Sequence, residues 1–210
     1  NLTAAIQTRA AQVTPFASDE LSVGFVPVPG RGKDVHGILA ALPLNILDTL
    51  GDVVKSAGGT LTRLEPSVFA LANLLLARSK AHAQDGDQRL QLVVHLTYSR
   101  VGLALLHENR LLLARYGSAG VSHLERFPTY QLLTDEITAT LQEYRALSKE
   151  PPLALVTGRN AHDPTTLEAV RRAEVEIVDG IASAGLDIQH QEADLEQYAI
   201  LLGLAVGRLS

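Results

Sequence analysis

From Leu90 onwards the apolar positions change period in a definite order. Three short runs come first, over 90–97, 101–106 and 110–115, each of strand length and rich in Leu and Val. A helical period follows over 129–148, where Leu133, Ile137, Leu141 and Tyr144 share a face and Pro151-Pro152 blocks continuation. Leu153 to Val156 reads as a strand. Asp163-Pro164 then supplies a side-chain cap and a preset φ for a helix carrying Leu167, Val170, Ile177, Val178 and Ile181, with Gly185 closing it. Leu186 to Ile188 reads as a short strand, and Asp194 caps a last helix with Leu195, Tyr198, Leu202 and Val206 inward.

The first part of the chain is patterned differently. Residues 1–14 look like the tail of a helix, with Leu2, Ile6 and Ala10 on one face and Thr14-Pro15 ending it. Glu20 to Val26 alternates, with Leu21, Val23 and Phe25 on one face, and Val35 to Leu42 forms a second strand beyond a Pro/Gly-rich turn at 27–32. Pro43 suits the first turn of a helix with Ile46, Leu47, Leu50, Val53, Val54 and Ala57 at helical spacing, stopped by Gly58-Gly59. Thr60 to Leu64 is expected to return as a strand, completing a β-β-α-β module over about 20–64. Pro66 opens a helix over 67–79 that is apolar on most sides, as a helix buried between layers is. The polar stretch Lys80 to Arg89 places the expected boundary between a first domain, 1–80, and a second, 81–210.

Composition narrows the class. With 210 residues, 46% apolar content and a net charge of −5, the chain reads as globular, with no basic run to argue for nucleic acid as a partner. Cysteine is absent, which excludes disulfides and cysteine-based zinc sites. Met and Trp are absent too, so Leu, Val and Ala carry the core. The apolar run Ala199 to Val206 falls far short of the roughly 20 residues of a bilayer span. The start at Asn1, without an initiator Met, is read as a fragment or a processed form.

Candidate chemistry is sparse. His95 lies amid Val93, Val94 and Leu96, and reads as a packed structural histidine because no partner for base catalysis can be named. Thr97 and Ser99, at a strand end, have hydroxyls suited to phosphate, but such residues more often satisfy local backbone. Gly158 follows Thr157 at the end of a strand and before a capped helix, a place where anions bind; an ordinary turn is the plainer reading. The seven histidines show no metal-ligand spacing. Gly30-Arg-Gly32 reads as a turn, Gly117-Ser-Ala-Gly120 as a hinge or turn, and Arg171, Arg172, Glu174 and Glu176 as a solvated helix side.

Several strings taken in order resemble the PilM and GspL family, the actin-like scaffold proteins of type IV pilus and type II secretion systems. Val13-Thr-Pro-Phe16 with Asp19-Glu-Leu21 is similar to the segment before that family's inserted domain. Val53-Val-Lys-Ser-Ala-Gly-Gly59 and Leu64-Glu-Pro-Ser-Val-Phe-Ala-Leu71 resemble its helix end and its E-P-x-x-x-A junction. The hairpin Val101 to Arg115 is similar to the strand-turn-strand after its second phosphate loop, and Tyr198 to Val206 resembles its closing helix. The resemblance implies an α/β fold: a ribonuclease-H-like, actin-like lobe preceded by a small α+β inserted module, with the N-terminal part of the first lobe missing. It also marks departures. His95 stands where the phosphate-loop Asp would be, Thr97 where its Gly would be, and Thr157-Gly-Arg-Asn160 keeps one glycine of the nucleoside-side turn.

By that resemblance the chain is expected to be a non-catalytic scaffold without a cofactor, cytoplasmic and held at the bacterial inner membrane. ATP would bind only with help from the missing N-terminal part, at the degenerate positions Thr97, Ser99 and Gly158. The implied partners are a PilN-like peptide or a GspE-like ATPase, with Phe25, Pro27, Val28 and the helix over 43–57 as contact regions, and a homodimer remains open. One alternative is a nucleotide-binding enzyme of the actin and sugar-kinase superfamily. Another is an FtsA-related division scaffold, which would require a C-terminal amphipathic membrane helix.

Overall fold

The computed structural model describes residues 2–28, 35–81, 89–127 and 130–178, together with Ile200 and Leu204. The turn over 29–34, the polar stretch over 82–88, the short strand expected at 186–188 and most of the last helix lie outside these residues. Two compact units divide the chain between Pro66 and Ser67.

In the first unit, helix α1 (Leu2–Val13) is followed by strands β1 (Leu21–Val28) and β2 (His36–Pro43), which pair antiparallel with Phe25 opposite Leu39. Gln7 on α1 donates to the Leu21 carbonyl at 3.0 Å, tying the helix to the hairpin. On β2, a side chain at Gly37 would overlap the ring of Phe25 and approach the Val26 carbonyl oxygen at 2.7 Å, so glycine lets that ring lie across the neighbouring strand. Helix α2 (Leu44–Ser56) begins directly after Pro43, which stands at its cap rather than inside its first turn. It ends where Gly58 takes φ +79° and donates to the Lys55 carbonyl, the left-handed stop that glycine adopts without strain. Thr60 to Leu64 does not return as a strand: it pairs with no described strand, so the described module is β-β-α over a two-stranded sheet. Leu61 and Leu64, three residues apart, would face opposite sides of a strand, so the segment lacks an apolar face to bury.

This unit has little core of its own. Among its described residues only Ala10 and Leu21 are fully buried apolar side chains. Ile46, Leu50 and Val53, spaced i, i+4 and i+7 on α2, stay exposed, Val53 to 61%. The packing side of α2 is Leu47, Gly51 and Val54, so its apolar arc is only half used.

The second unit starts with helix α3 (Ser67–Ala81), not with the polar stretch after it. Burial explains the shift: Val68, Phe69, Leu71, Leu74 and Leu75 are all buried against strands of this unit. The phenol of Tyr116 meets Ser67 Oγ at 2.6 Å and accepts from the Val68 amide at 3.2 Å, fixing the first turn of α3. The sheet holds β3 (Gln91–Leu96), β4 (Val101–His107), β5 (Arg110–Gly117), β6 (Leu153–Gly158) and β7 (Glu176–Ile177) in the spatial order β5-β4-β3-β6-β7. β3, β4 and β5 are antiparallel neighbours, joined at the second hairpin by Glu108 and Asn109 at positive φ, whereas β3, β6 and β7 run parallel. Every residue of β3 and β6 is buried, as expected of central strands covered on both faces. Leu92, Val94 and Leu96 pack with Leu133, Ile137 and Leu141 of helix α5 (Gln131–Gln142), while Leu71 of α3 approaches from the other face beside Gly102 and His95. Each such apolar side chain contributes roughly 1.5–3 kcal/mol when fully buried.

Two further elements differ from the sequence pattern. A short helix, α4 (Val121–Arg126), follows the glycine-containing connection after β5. Helix α6 (Pro164–Arg172) stops well before Ile181, because Glu174 turns left-handed at φ +59° and the chain enters β7 at Glu176–Ile177. The expected cap is present: Asp163 Oδ1 accepts from the Thr166 amide at 2.9 Å, and Pro164 follows. Asp163→Ala should therefore cost about 1 kcal/mol, read as a lower urea midpoint with an unchanged slope; an unchanged midpoint would show that the cap contributes nothing.

Candidate functional site

The candidate nucleotide-loop residues converge at the C-terminal end of the parallel pair β3 and β6, the end of an α/β sheet where ligands bind. The register sets them side by side: His95 lies opposite Thr157 and Leu96 opposite Gly158. Thr97, Ser99 and Gly158 are thus brought to one edge.

Their local bonds turn inward. The Thr97 hydroxyl donates to the Arg100 carbonyl at 3.0 Å and accepts from the Arg100 amide at 3.1 Å, while the Thr97 amide donates to the same carbonyl at 2.9 Å. Thr97 closes the β3–β4 turn, and Ser99 stands exposed at its tip. The first amides of α4 are also taken, Val121 donating to the Thr97 carbonyl at 3.0 Å and Ser122 to the Tyr98 carbonyl at 2.8 Å. The amides of Thr97, Arg100, Val121 and Ser122 are thus satisfied by the chain itself.

Two glycines fill the remaining space. Gly158 holds φ +87°, and a Cβ there would overlap the Leu96 carbonyl oxygen and lie 3.0 Å from His95 Cε1. At Gly120 a Cβ would overlap the backbone of Ser99 and Arg100. In both places glycine permits backbone to approach backbone, not backbone to approach a ligand. The next residue, Arg159, donates its amide to the Leu96 carbonyl at 2.8 Å, sealing the end of β6 against β3.

Beneath this surface lies the pair His95 and Thr157. Nδ1 of His95 is 2.9 Å from Thr157 Oγ1, with His95 exposed by only 6% and Thr157 not at all. Burial pushes the His95 imidazole down from its ordinary 6.5 to about 4, so it is neutral at physiological pH. A neutral, enclosed imidazole bonded to a threonine joins two strands. The sequence alone left His95 without a partner, although aligning the two apolar runs as parallel strands would have paired it with Thr157.

The other candidates are placed as follows. Phe25, Pro27 and Val28 lie along β1, Phe25 over Gly37 and Pro27 and Val28 toward the end of the strand. Among the described residues no group of three or more His, Asp or Glu side chains is placed to hold a metal ion, and no helix is long and apolar enough to cross a membrane. At the opposite ends of β3 and β6 an open pocket of about 320 Å³ is lined by Leu90, Pro151 and Pro152, with the Arg145–Glu174 ion pair at its rim.

The His95 environment has a pH signature. Between about pH 6.5 and 4 the unfolded chain takes up a proton that the folded chain refuses. Its contribution to stability is therefore complete above about 6.5 and is lost as pH falls toward 4, by up to about 3 kcal/mol in all. His95→Gln, which is neutral throughout, should show a smaller drop in Tm between neutral and mildly acidic buffer than the parent chain. Equal drops in the two proteins would mean that His95 titrates freely.

No protein-family model and no curated protein sequence matches this chain. Solved structures do match its fold. It is similar to the PilM protein of a PilM-PilN type IV pilus biogenesis complex with a TM-score of 0.68 and 19% identity, over 97% of this chain and 71% of that one. It is also similar to a Bacteroides thetaiotaomicron protein of unknown function with an actin-like ATPase fold, with a TM-score of 0.52 and 11% identity, over 93% of this chain and 64% of that one. The chain therefore has the actin-like ATPase fold, in the form that PilM displays.

Proposed function

We propose that this chain is a PilM-type scaffold of a bacterial pilus or secretion platform, which holds a partner segment and does not turn over nucleotide. In this reading residues 67–210 form a ribonuclease-H-like lobe, and the β-β-α module corresponds to the inserted module of the actin-like fold. The observation that carries it is the packing at the end of β3 and β6: both glycines and the first α4 amides are spent on the chain's own backbone. An enzyme of this fold needs those groups for phosphate.

The partner would be PilN-like, since the similar PilM structure is of a complex with PilN. The module offers a surface for it. Ile46, Leu50 and Val53 expose an apolar stripe, and β1, carrying Phe25, Pro27 and Val28, pairs on one side only. An extended or helical segment with apolar residues at matching spacing could bury that stripe. The site of action would then be the cytoplasmic side of the inner membrane.

The test is titration calorimetry of the chain with the N-terminal segment of a PilN-like protein from the same genome. Saturable binding is expected, weakened at least tenfold by Leu50→Asp with Val53→Asp while the circular dichroism spectrum is unchanged. Absence of binding, or binding indifferent to both substitutions, would remove this reading.

A further inference from the structure

Four residues, Gly117-Ser-Ala-Gly120, carry the chain from the end of β5 into α4, and they are clamped at both ends. At the far end Gly120 is buried and seated on the β3–β4 turn, where any Cβ would overlap the backbone of Ser99 and Arg100. At the near end stands Glu136 of α5. Its Oε1 accepts from the Ser118 amide at 3.1 Å and from the Ser118 hydroxyl at 3.4 Å, and its Oε2 accepts from the Arg115 guanidinium at 2.6 Å. Arg115 also donates to the Glu136 carbonyl and to Thr140 Oγ1, so the cation that aims the carboxylate is itself fixed on α5. A Cβ on Gly117 would lie 2.6–2.8 Å from the atoms of that carboxylate, so glycine there lets Glu136 reach the backbone.

We propose that Glu136 is a latch: its carboxylate holds this strap on the path that seats Gly120 against the turn and delivers the Val121 and Ser122 amides to the Thr97 and Tyr98 carbonyls. Two glycines in four residues make the strap costly to order. Among the described residues Glu136 supplies the only side-chain hydrogen bonds to it, and these are charge-assisted, the stronger kind. Helix α4 cannot hold itself in place: it is six residues long, and Gly120 gives it no side-chain cap. Ser118 is exposed, so water can take over its amide once the carboxylate is gone. The competing force is burial, since Ala119 and Val121 lie in the core; if packing alone held α4, the carboxylate would be dispensable. With the latch absent, the start of α4 parts from the β3–β4 turn while the sheet stays folded. Glu136 is thus a positioning residue for the sheet end that Thr97 and Ser99 occupy. The device lies in the second unit and is independent of whether the first unit takes a PilN-like segment.

Amide hydrogen exchange of the full chain, followed residue by residue, tests it. Glu136→Ala should speed exchange of the Val121 and Ser122 amides at least tenfold, while Val93 and Val94, in the strand paired on both sides, change little. Gly117→Ala keeps every charge but puts a methyl where the carboxylate stands. It should open the same two amides, and it decides the matter should the Glu136→Ala chain not fold. Glu136→Gln retains an acceptor for the Ser118 amide and should restore most of the protection that Glu136→Ala loses. Glu174→Gln, which breaks the ion pair with Arg145 at the opposite ends of the strands, should leave both amides as they are in the parent chain. Unchanged exchange at Val121 and Ser122 in the Gly117→Ala and Glu136→Ala chains would overturn the assignment. Equal acceleration at Val93 and Val94 would overturn it too, by making Glu136 a prop for the whole unit.

Discussion

The parallel pairing of β3 with β6 is the constraint on which the rest of the second unit depends. Its register sets His95 against Thr157 and Leu96 against Gly158, and every residue in both strands is buried. A polar pair in that position must satisfy itself, because leaving either group unbonded in so dry a place costs more than the bond contributes. The 2.9 Å contact between the imidazole and the threonine hydroxyl does so. Once the strands are joined there, the close backbone approach at Gly158 and the bond from Arg159 to Leu96 follow from the same register. At this end of the two strands the amides of Val121, Ser122 and Arg159 all donate to the chain's own carbonyls.

The two units are held together by different means. The second has a continuous core on both faces of a mixed sheet, with α3 on one and α5 on the other. Arg115 reinforces the second of these, donating to the Glu136 carbonyl at 2.9 Å and to Thr140 Oγ1 at 3.0 Å. Among the described residues of the first unit only Ala10 and Leu21 are buried apolar side chains, and an apolar stripe on α2 is exposed. Burial that slight offsets little of the entropy lost in ordering a chain. A module of that kind gains most from a partner, which is the physical basis for assigning it the binding role.

Much of the fold was legible in the sequence because the strong signals are local. The continuous apolar runs of β3 and β6, the α5 stripe Leu133, Ile137 and Leu141, the Asp163-Pro164 cap and the Gly58 stop each follow from a few residues. The misreadings share a different cause. Thr60 to Leu64 has the composition of a strand but no described neighbour to pair with, and Ile177 belongs to β7 because a non-glycine residue, Glu174, adopts a left-handed turn that no pattern announces. The early boundary after Pro66 depends on α3 packing onto strands far along the chain, which periodicity does not report. At the site, Thr97, Ser99 and Gly158 were named from the resemblance, and their local contacts were not legible in the sequence. Whether a glycine receives a ligand or a neighbouring backbone is decided by contacts between β3, β6 and α4 that are distant in sequence.

The central claim, that this sheet end is closed to nucleotide, is tested most directly by titrating Mg-ATP into the isotope-labelled chain while following the backbone amide resonances of Gly120, Val121 and Arg159, each of which donates to a carbonyl of the chain itself. The account predicts no saturable shift at these amides in the folded protein. A saturable, stoichiometric shift at all three would contradict it, since those donors would then have exchanged their internal acceptors for phosphate.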